Sequence, residues 1–200
     1  MPYARRDTVE FIPGEYYHIY NRGARQLTLF HERSNYQFVL QHIGQYLVEL
    51  NLSLIAYCLL PNHYHWAVRQ DGSQPAGLLP QRVFNRYSKA YNVLYQHSGT
   101  LFQGRYQAKH VDSQVYLMQL CRYIHGNPVR HGICRNLNDW QYSNYPEWIG
   151  RRSGKLVDRE FVASRFPDPK EYEAFVMEGL RMNALPQELT YLEGFGAAGR

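Results

Sequence analysis

Bulky and polar residues alternate along PGEYYHIYNRG, residues 13–23, until a glycine interrupts them. A period of two marks a half-buried strand, so a first strand is predicted over about 15–21. Phe38, Ile43, Tyr46, Leu47 and Leu50 then recur at helical spacing behind Ser34, which reads as an N-cap. The unbroken apolar run LSLIAYCLL, 52–60, predicts a buried strand, and Pro61-Asn62 reverses the chain into an antiparallel partner, HYHWAVRQ. A second helix is expected from LLPQRVFN onward to Gly99, and a fourth strand over 101–111. The last strongly periodic segment, DSQVYLMQLCRYIHGNP, opens at an Asp/Ser cap and is expected to stop at Gly126-Asn127-Pro128.

The order β-α-β-β-α-β-α is that of an α+β, ferredoxin-like split βαβ antiparallel sheet with one additional helix. Helices are expected on one face of the sheet, with the other face open for a site. After about residue 150, RRSGK reads as a linker, DREFVASRF and PKEYEAFVMEGLRM as helical segments, and GFGAAGR as a disordered end. The expected division is a domain over 1–150 and a C-terminal appendage over 151–200. No internal repeat or low-complexity tract is present.

Charge adds a partner to this picture. The net charge is +5, but residues 1–155 hold 17 Lys/Arg against 9 Asp/Glu, while 156–200 hold 5 against 8. Residues 82–130 carry seven basic side chains and one acid, Asp112. A basic body with an acidic tail points to a polyanion, nucleic acid first. Three cysteines without a CxxC pair argue against a disulfide framework or a cysteine zinc site. No run reaches the ~20 apolar residues of a membrane span, and the N-terminus lacks the apolar core of a signal peptide. A cytoplasmic, nucleoid-associated protein without a membrane partner is expected.

On a strand, His63 and His65 point to one face, with Ala67 and Arg69, while Tyr64, Trp66 and Val68 point into the core. Two imidazoles held one residue apart suit a metal. Tyr123 and Asn127 stand four apart on the last helix and so project from one side of it. An amide oxygen with two imidazoles favours Mg²⁺ or Mn²⁺ over a thiolate-seeking ion. Tyr123 also borders the core stripe Leu117, Leu120, Cys121 and Ile124, which gives it a packing role as the alternative.

Five blocks in order, PGEYYHIYNRG, YCLLPNHYHWAV, GTLFQGRYQAKHVDS, YLMQLCRYIHGNPVRHGI and WQYSNYPEWIG, resemble the REP-associated tyrosine transposases. These are single-tyrosine transposases of the HUH endonuclease superfamily, and the resemblance runs from about 13 to 150. It implies that His63 and His65 are the metal-binding pair, Tyr123 the nucleophile and Asn127 the polar residue completing the metal site. It also implies cleavage and rejoining of single-stranded DNA at hairpin-forming repeats through a 5′-phosphotyrosine. Phosphate contacts are expected from Arg69, Arg82, Arg86, Lys89, Arg105 and Lys109, with base stacking on Tyr87, Tyr91 and Tyr106. Asn21 and Arg22 are candidates for reading the foot of the hairpin. Imidazole ligates only when neutral, so activity is expected to fall below about pH 6. The linker VDSQ is too short for easy exchange of the tyrosine helix, which favours a monomer over a dimer. Two rivals remain at this point: a non-catalytic single-stranded nucleic-acid-binding module, and a small-molecule metalloenzyme recruiting His18 or His110 as a third ligand.

Overall fold

The computed structural model describes residues 9–182 and 184–195. Strands β1 (Tyr16–Arg22), β2 (Leu52–Leu60), β3 (His63–Gln70) and β4 (Gln107–Val111) form one sheet in the order β2-β3-β1-β4. Every neighbouring pair is antiparallel. Helix α1 (Arg33–Leu50) joins β1 to β2, α2 (Leu78–Leu94) joins β3 to β4, and α3 (Gln114–Arg130) follows β4. This is the ferredoxin-like arrangement with its additional helix. Short helices α4 (Tyr145–Trp148) and α5 (Arg159–Arg165), the longer α6 (Pro169–Arg181) and a 3₁₀ segment Gln187–Leu192 complete the described chain. The helical expectation for the C-terminal segments holds; most of the stretch expected to be disordered, 196–200, lies outside the described residues.

Strand alternation divides the interior in two. Tyr17 and Ile19 of β1 and Tyr64, Trp66 and Val68 of β3 face α1 and α2, where Val39, Ile43, Leu79, Val83 and Phe84 cover them. Cys58 and Leu60 of β2 and Ala67 of β3 face the other way, against Leu117, Leu120 and Ile124 of α3. Trp148, Phe161, Tyr172 and Val176 of α4–α6 extend that second core. The expectation of an open sheet face is therefore corrected. Face two carries enough aliphatic surface that water could not cover it without cost, each buried Leu or Phe being worth about 1.5–3 kcal/mol.

A bulge in β2 helps build this second core. Leu54 pairs with Val68 and Ala56 with Ala67, so Ile55 is an extra residue, and Ile55 and Ala56 both enter the second core. The backbone groups freed by the bulge are taken up from the C-terminal half. Asn144 Nδ2 donates to the Ile55 carbonyl at 2.9 Å and its Oδ1 accepts from the Tyr57 N–H at 2.8 Å. Trp148 Nε1 also donates to Ile55 O, at 3.1 Å.

Four boundaries differ from the sequence reading. Helix α1 is capped by Glu32 in a reciprocal box with Asn35, and Ser34 donates its hydroxyl to Glu32 instead of serving as the cap. Helix α2 ends at Leu94, short of Gly99. Residues 101–106 form a loop that touches Gly23 through a single bridge at Phe102, so β4 is short and Arg105 precedes it. Helix α3 continues through Gly126-Asn127-Pro128 to Arg130. Its stop is Gly132, at φ +67°, with Gly132 N–H bonded to Val129 O and Ile133 N–H to Pro128 O. That is a left-handed glycine terminus, and the proline is tolerated within the closing turns.

Candidate active site

The turn between β2 and β3 is pinned from three directions. Leu29 and Phe30 N–H groups bond Pro61 O at 2.6 and 3.0 Å, and Gly23 N–H bonds Asn62 O at 2.8 Å. His63 follows at once, with Nδ1 2.7 Å from Asn62 Oδ1. With that oxygen accepting, the ring proton sits on Nδ1 and Nε2 keeps an open lone pair. His65, two residues on, points to the same face, its Nδ1 3.0 Å from His18 Nε2. Helix α3 lies across this face and supplies Tyr123 and Asn127. The Asn127 amide donates from Nδ2 to the Tyr123 carbonyl at 2.7 Å, and it lies near enough to His63 to oppose the lowering of its pKa by burial.

His63 Nε2, His65 Nε2 and Asn127 Oδ1 are buried and lack hydrogen-bond partners. The three residues are 1 %, 0 % and 0 % exposed. Each unpaired buried polar atom costs about 1–3 kcal/mol, so the three together form a candidate position for a ligand. Two imidazole nitrogens and an amide oxygen fit a divalent cation such as Mg²⁺ or Mn²⁺. Among the described residues, no three His, Cys, Asp or Glu side chains gather as a metal site; the candidate set depends on the amide.

Tyr123 is 5 % exposed, its ring edge-on to His65 with centroids 5.4 Å apart. Burial pushes its phenol up to about 12, while the Asn127 side chain and the Arg130 charge pull it down. The Arg130 guanidinium lies 5.8 Å from the centre of the Tyr123 ring. A crevice between α3 and α6, lined in part by Gln119, Arg122 and Arg130, reaches this tyrosine. Burial lowers His63 to about 3, and His65 well below the ordinary imidazole value. Burial thus favours the neutral form of both rings.

Several neighbours escaped the sequence reading. His131 packs edge-on against His63 at 4.8 Å. Arg130 and His131 follow Tyr123 by seven and eight residues, so a helix traced through Pro128 would have placed both on its face. Tyr191 and Phe195 come from the far end of the chain, with no local signal. The Phe195 ring lies 5.9 Å from His63, 5.3 Å from His65 and 4.9 Å from Tyr20.

The basic candidates divide by face. Arg22 pairs across the sheet with His63, and Lys109 with His18, so both border the histidine face. Arg22 stacks on Phe195 at 5.3 Å and Lys109 on Tyr191 at 4.5 Å. Arg69 shares that face but is held by Asp71 and, at 3.0 Å, by Asp158. Arg82, Arg86 and Lys89 sit on α2, across the sheet from the site; Arg82 pairs with Glu49 at 3.3 Å and Arg86 meets His42. Asn21 is buried and donates to the Gly104 carbonyl, tying down the loop that carries exposed Arg105. Tyr87 and Tyr91 are core residues bonded to Leu29 O and Thr28 O, so neither is free to stack a base. His18 has both ring nitrogens engaged, and His110 faces the other side of the sheet beside Glu15. Neither presents a free ring nitrogen to the pair; the third histidine beside it is His131, whose Nε2 is also buried without a partner.

The sequence model of IS200-like transposases matches residues 13–127, more than half of the chain, a span that includes His63, His65, Tyr123 and Asn127. The chain belongs to the IS200-like transposase family. Its role is accordingly that of a DNA-processing protein. A solved REP-associated tyrosine transposase bound to a REP hairpin has the same fold, with TM-score 0.62 and 18% identity over 76% of this chain and 93% of that one. A Deinococcus radiodurans protein solved as a candidate transposase aligns with TM-score 0.39 and 17% identity, over 60% and 92% of the two chains. No protein of curated function matches.

Proposed function

We propose that this transposase-family protein cuts and rejoins single-stranded DNA at hairpin-forming repeats, with Tyr123 as nucleophile beside a divalent-cation site formed by His63, His65 and Asn127. The observation that carries the reading is the meeting of three unpaired lone pairs, two from β3 and one from α3, with Tyr123 one helical turn from Asn127. Family membership and the likeness to a hairpin-bound transposase support DNA as the substrate.

Tyr123 Oη would attack the scissile phosphorus while the bond to the 3′ oxygen breaks, leaving a 5′-phosphotyrosine and a free 3′-hydroxyl. The phenol proton is lost as the new P–O bond forms, and the leaving oxygen takes up a proton. The covalent link conserves the phosphodiester for rejoining to a second strand. A phenol held near 12 is poorly nucleophilic, so Arg130 and Asn127, the two groups that lower it, would favour the attacking form. A Mg²⁺ or Mn²⁺ ion held by His63, His65 and Asn127 would supply charge neutralisation of the phosphate oxygens. Arg22 and Lys109 would hold the backbone at the rim. A strand reaching His63 would have to share or take the space of the Phe195 ring, 5.9 Å from it.

Covalent capture tests this. Wild type and Tyr123→Phe are incubated with labelled hairpin oligonucleotides and Mn²⁺, with or without chelator, and resolved on a denaturing gel. A metal-dependent adduct formed by wild type alone is expected. Tight hairpin binding by both proteins without an adduct would favour the non-catalytic binding module.

A further inference from the structure

A line of three side chains, His18, Tyr191 and Tyr116, leads away from His65 of the candidate cation site and has no part in the proposed chemistry. His65 Nδ1 lies 3.0 Å from His18 Nε2, His18 Nδ1 lies 2.6 Å from the Tyr191 hydroxyl, and the Tyr191 and Tyr116 hydroxyls are 2.9 Å apart. His18 and His65 are fully buried, and His18 is stacked on Tyr20 with ring centres 4.4 Å apart. We propose that His18 is a positioning residue that fixes the orientation and tautomer of His65, with Tyr191 as the outer anchor of the relay.

The argument is one of proton placement. Each neutral imidazole carries one N–H, and the His65–His18 contact holds one hydrogen between two nitrogens. If His65 donates from Nδ1, its Nε2 presents a lone pair beside Asn127 and His63. His18 then accepts at Nε2, carries its own proton on Nδ1 and donates to the Tyr191 oxygen, whose own hydrogen turns to the Tyr116 hydroxyl. In the opposite arrangement Tyr191 donates to His18, His18 donates to His65, and an N–H stands at His65 Nε2, where no acceptor is found. Only the first arrangement can ligate a cation. Imidazole ligands are commonly held through their second nitrogen in this way, and losing that partner costs about 10- to 100-fold in metal affinity. His63 has its own holder, Asn62 Oδ1 at 2.7 Å, which can only accept from it. His65 differs in being held by a partner able to donate or accept, so its tautomer depends on what lies beyond His18.

This rests on the reading of His63, His65 and Asn127 as a divalent-cation site, and the test separates the two. Mn²⁺ is titrated into wild type, His63→Ala, His18→Ala, His18→Gln and Tyr191→Phe without DNA, free Mn²⁺ is followed by electron paramagnetic resonance, and folding is checked by circular dichroism. His18→Ala should weaken Mn²⁺ about 10- to 100-fold. His18→Gln should recover much of the loss, since its Oε1 can accept from His65 while its amide donates to Tyr191. Tyr191→Phe removes the outer acceptor and should weaken binding by less than His18→Ala does. In parallel, long-range ¹⁵N–¹H correlation on Mg²⁺-loaded wild type should show His65 protonated at Nδ1, a readout that stands even if a variant fails to fold. A folded His18→Ala binding Mn²⁺ like wild type, or a His65 proton at Nε2 with Mg²⁺ bound, overturns the proposal alone. Wild type that binds no Mn²⁺, or His63→Ala that binds it equally well, overturns the site reading and this proposal together.

Discussion

His125 has no unused nitrogen. Its Nε2 meets Asn144 Oδ1 at 2.8 Å, and its Nδ1 meets the Tyr172 hydroxyl at 2.6 Å. The same Asn144 oxygen accepts from Tyr57 N–H, so His125 must donate to it and accept from Tyr172. One histidine thus joins α3, α6 and the β2 bulge. His125→Ala should cost about 2–4 kcal/mol, from a lost ring and a stranded Tyr172 hydroxyl, measurable by urea unfolding. Burial lowers His125 to about 4 and His18 to about 3. In the unfolded chain both return to ordinary imidazole values, so between the two values the unfolded state binds more protons. Their contribution is complete above about pH 6.5 and shrinks as pH falls toward the folded values. Each should cost roughly 2 kcal/mol between pH 7 and pH 5, visible as a falling unfolding midpoint.

At the scale of elements, the face on which a basic residue sits decides what it can touch. Arg22 on β1 and Lys109 on β4 border the histidine face, whereas Arg82, Arg86 and Lys89 ride on α2 behind the sheet. Replacing Arg22 or Lys109 by alanine should weaken hairpin binding and lower the slope of log affinity against log salt by about 1 each. Alanine at Arg82 or Arg86 should leave both nearly unchanged. Equal losses from the α2 variants would place DNA on both sides of the sheet. The helical spacing of Arg82, Arg86 and Lys89 was readable, but which sheet face α2 would cover was not. The stop of α3 shows a second limit of local reading. Gly126 serves close packing, since a Cβ there would lie 3.2 Å from Leu180 Cδ2 of α6. Gly132 is the glycine that supplies the left-handed turn. Two glycines near a helix end look alike until the partner helix is in place.

Across the whole molecule, residues beyond 155 are part of the second core. Phe161, Val162, Tyr172, Val176, Leu189 and Leu192 are buried with Cys58, Leu60, Leu117 and Leu120. Heat or denaturant should therefore unfold the described chain in one cooperative transition. Phe161→Ala should lower that midpoint by an amount worth about 3–5 kcal/mol, with fluorescence and circular dichroism still coincident. Two separated transitions would instead make the C-terminal helices an independent unit. No described helix is long and apolar enough to cross a membrane.

Periodicity is a local property, and it fixed the order of strands and helices, the inward course of Tyr64 and Trp66, and the shared face of His63 and His65. The spacing of Tyr123 and Asn127, one helical turn apart, was equally local. Tertiary structure alone decided what met them: α3 and the C-terminal helices closing the second face, Asn144 filling the bulge, and Tyr191 arriving from 173 residues away to bond His18. These contacts depend on apolar area seeking cover and on buried polar atoms seeking partners. Both are satisfied by whichever segment the fold brings near, and sequence distance leaves no trace of which one that will be.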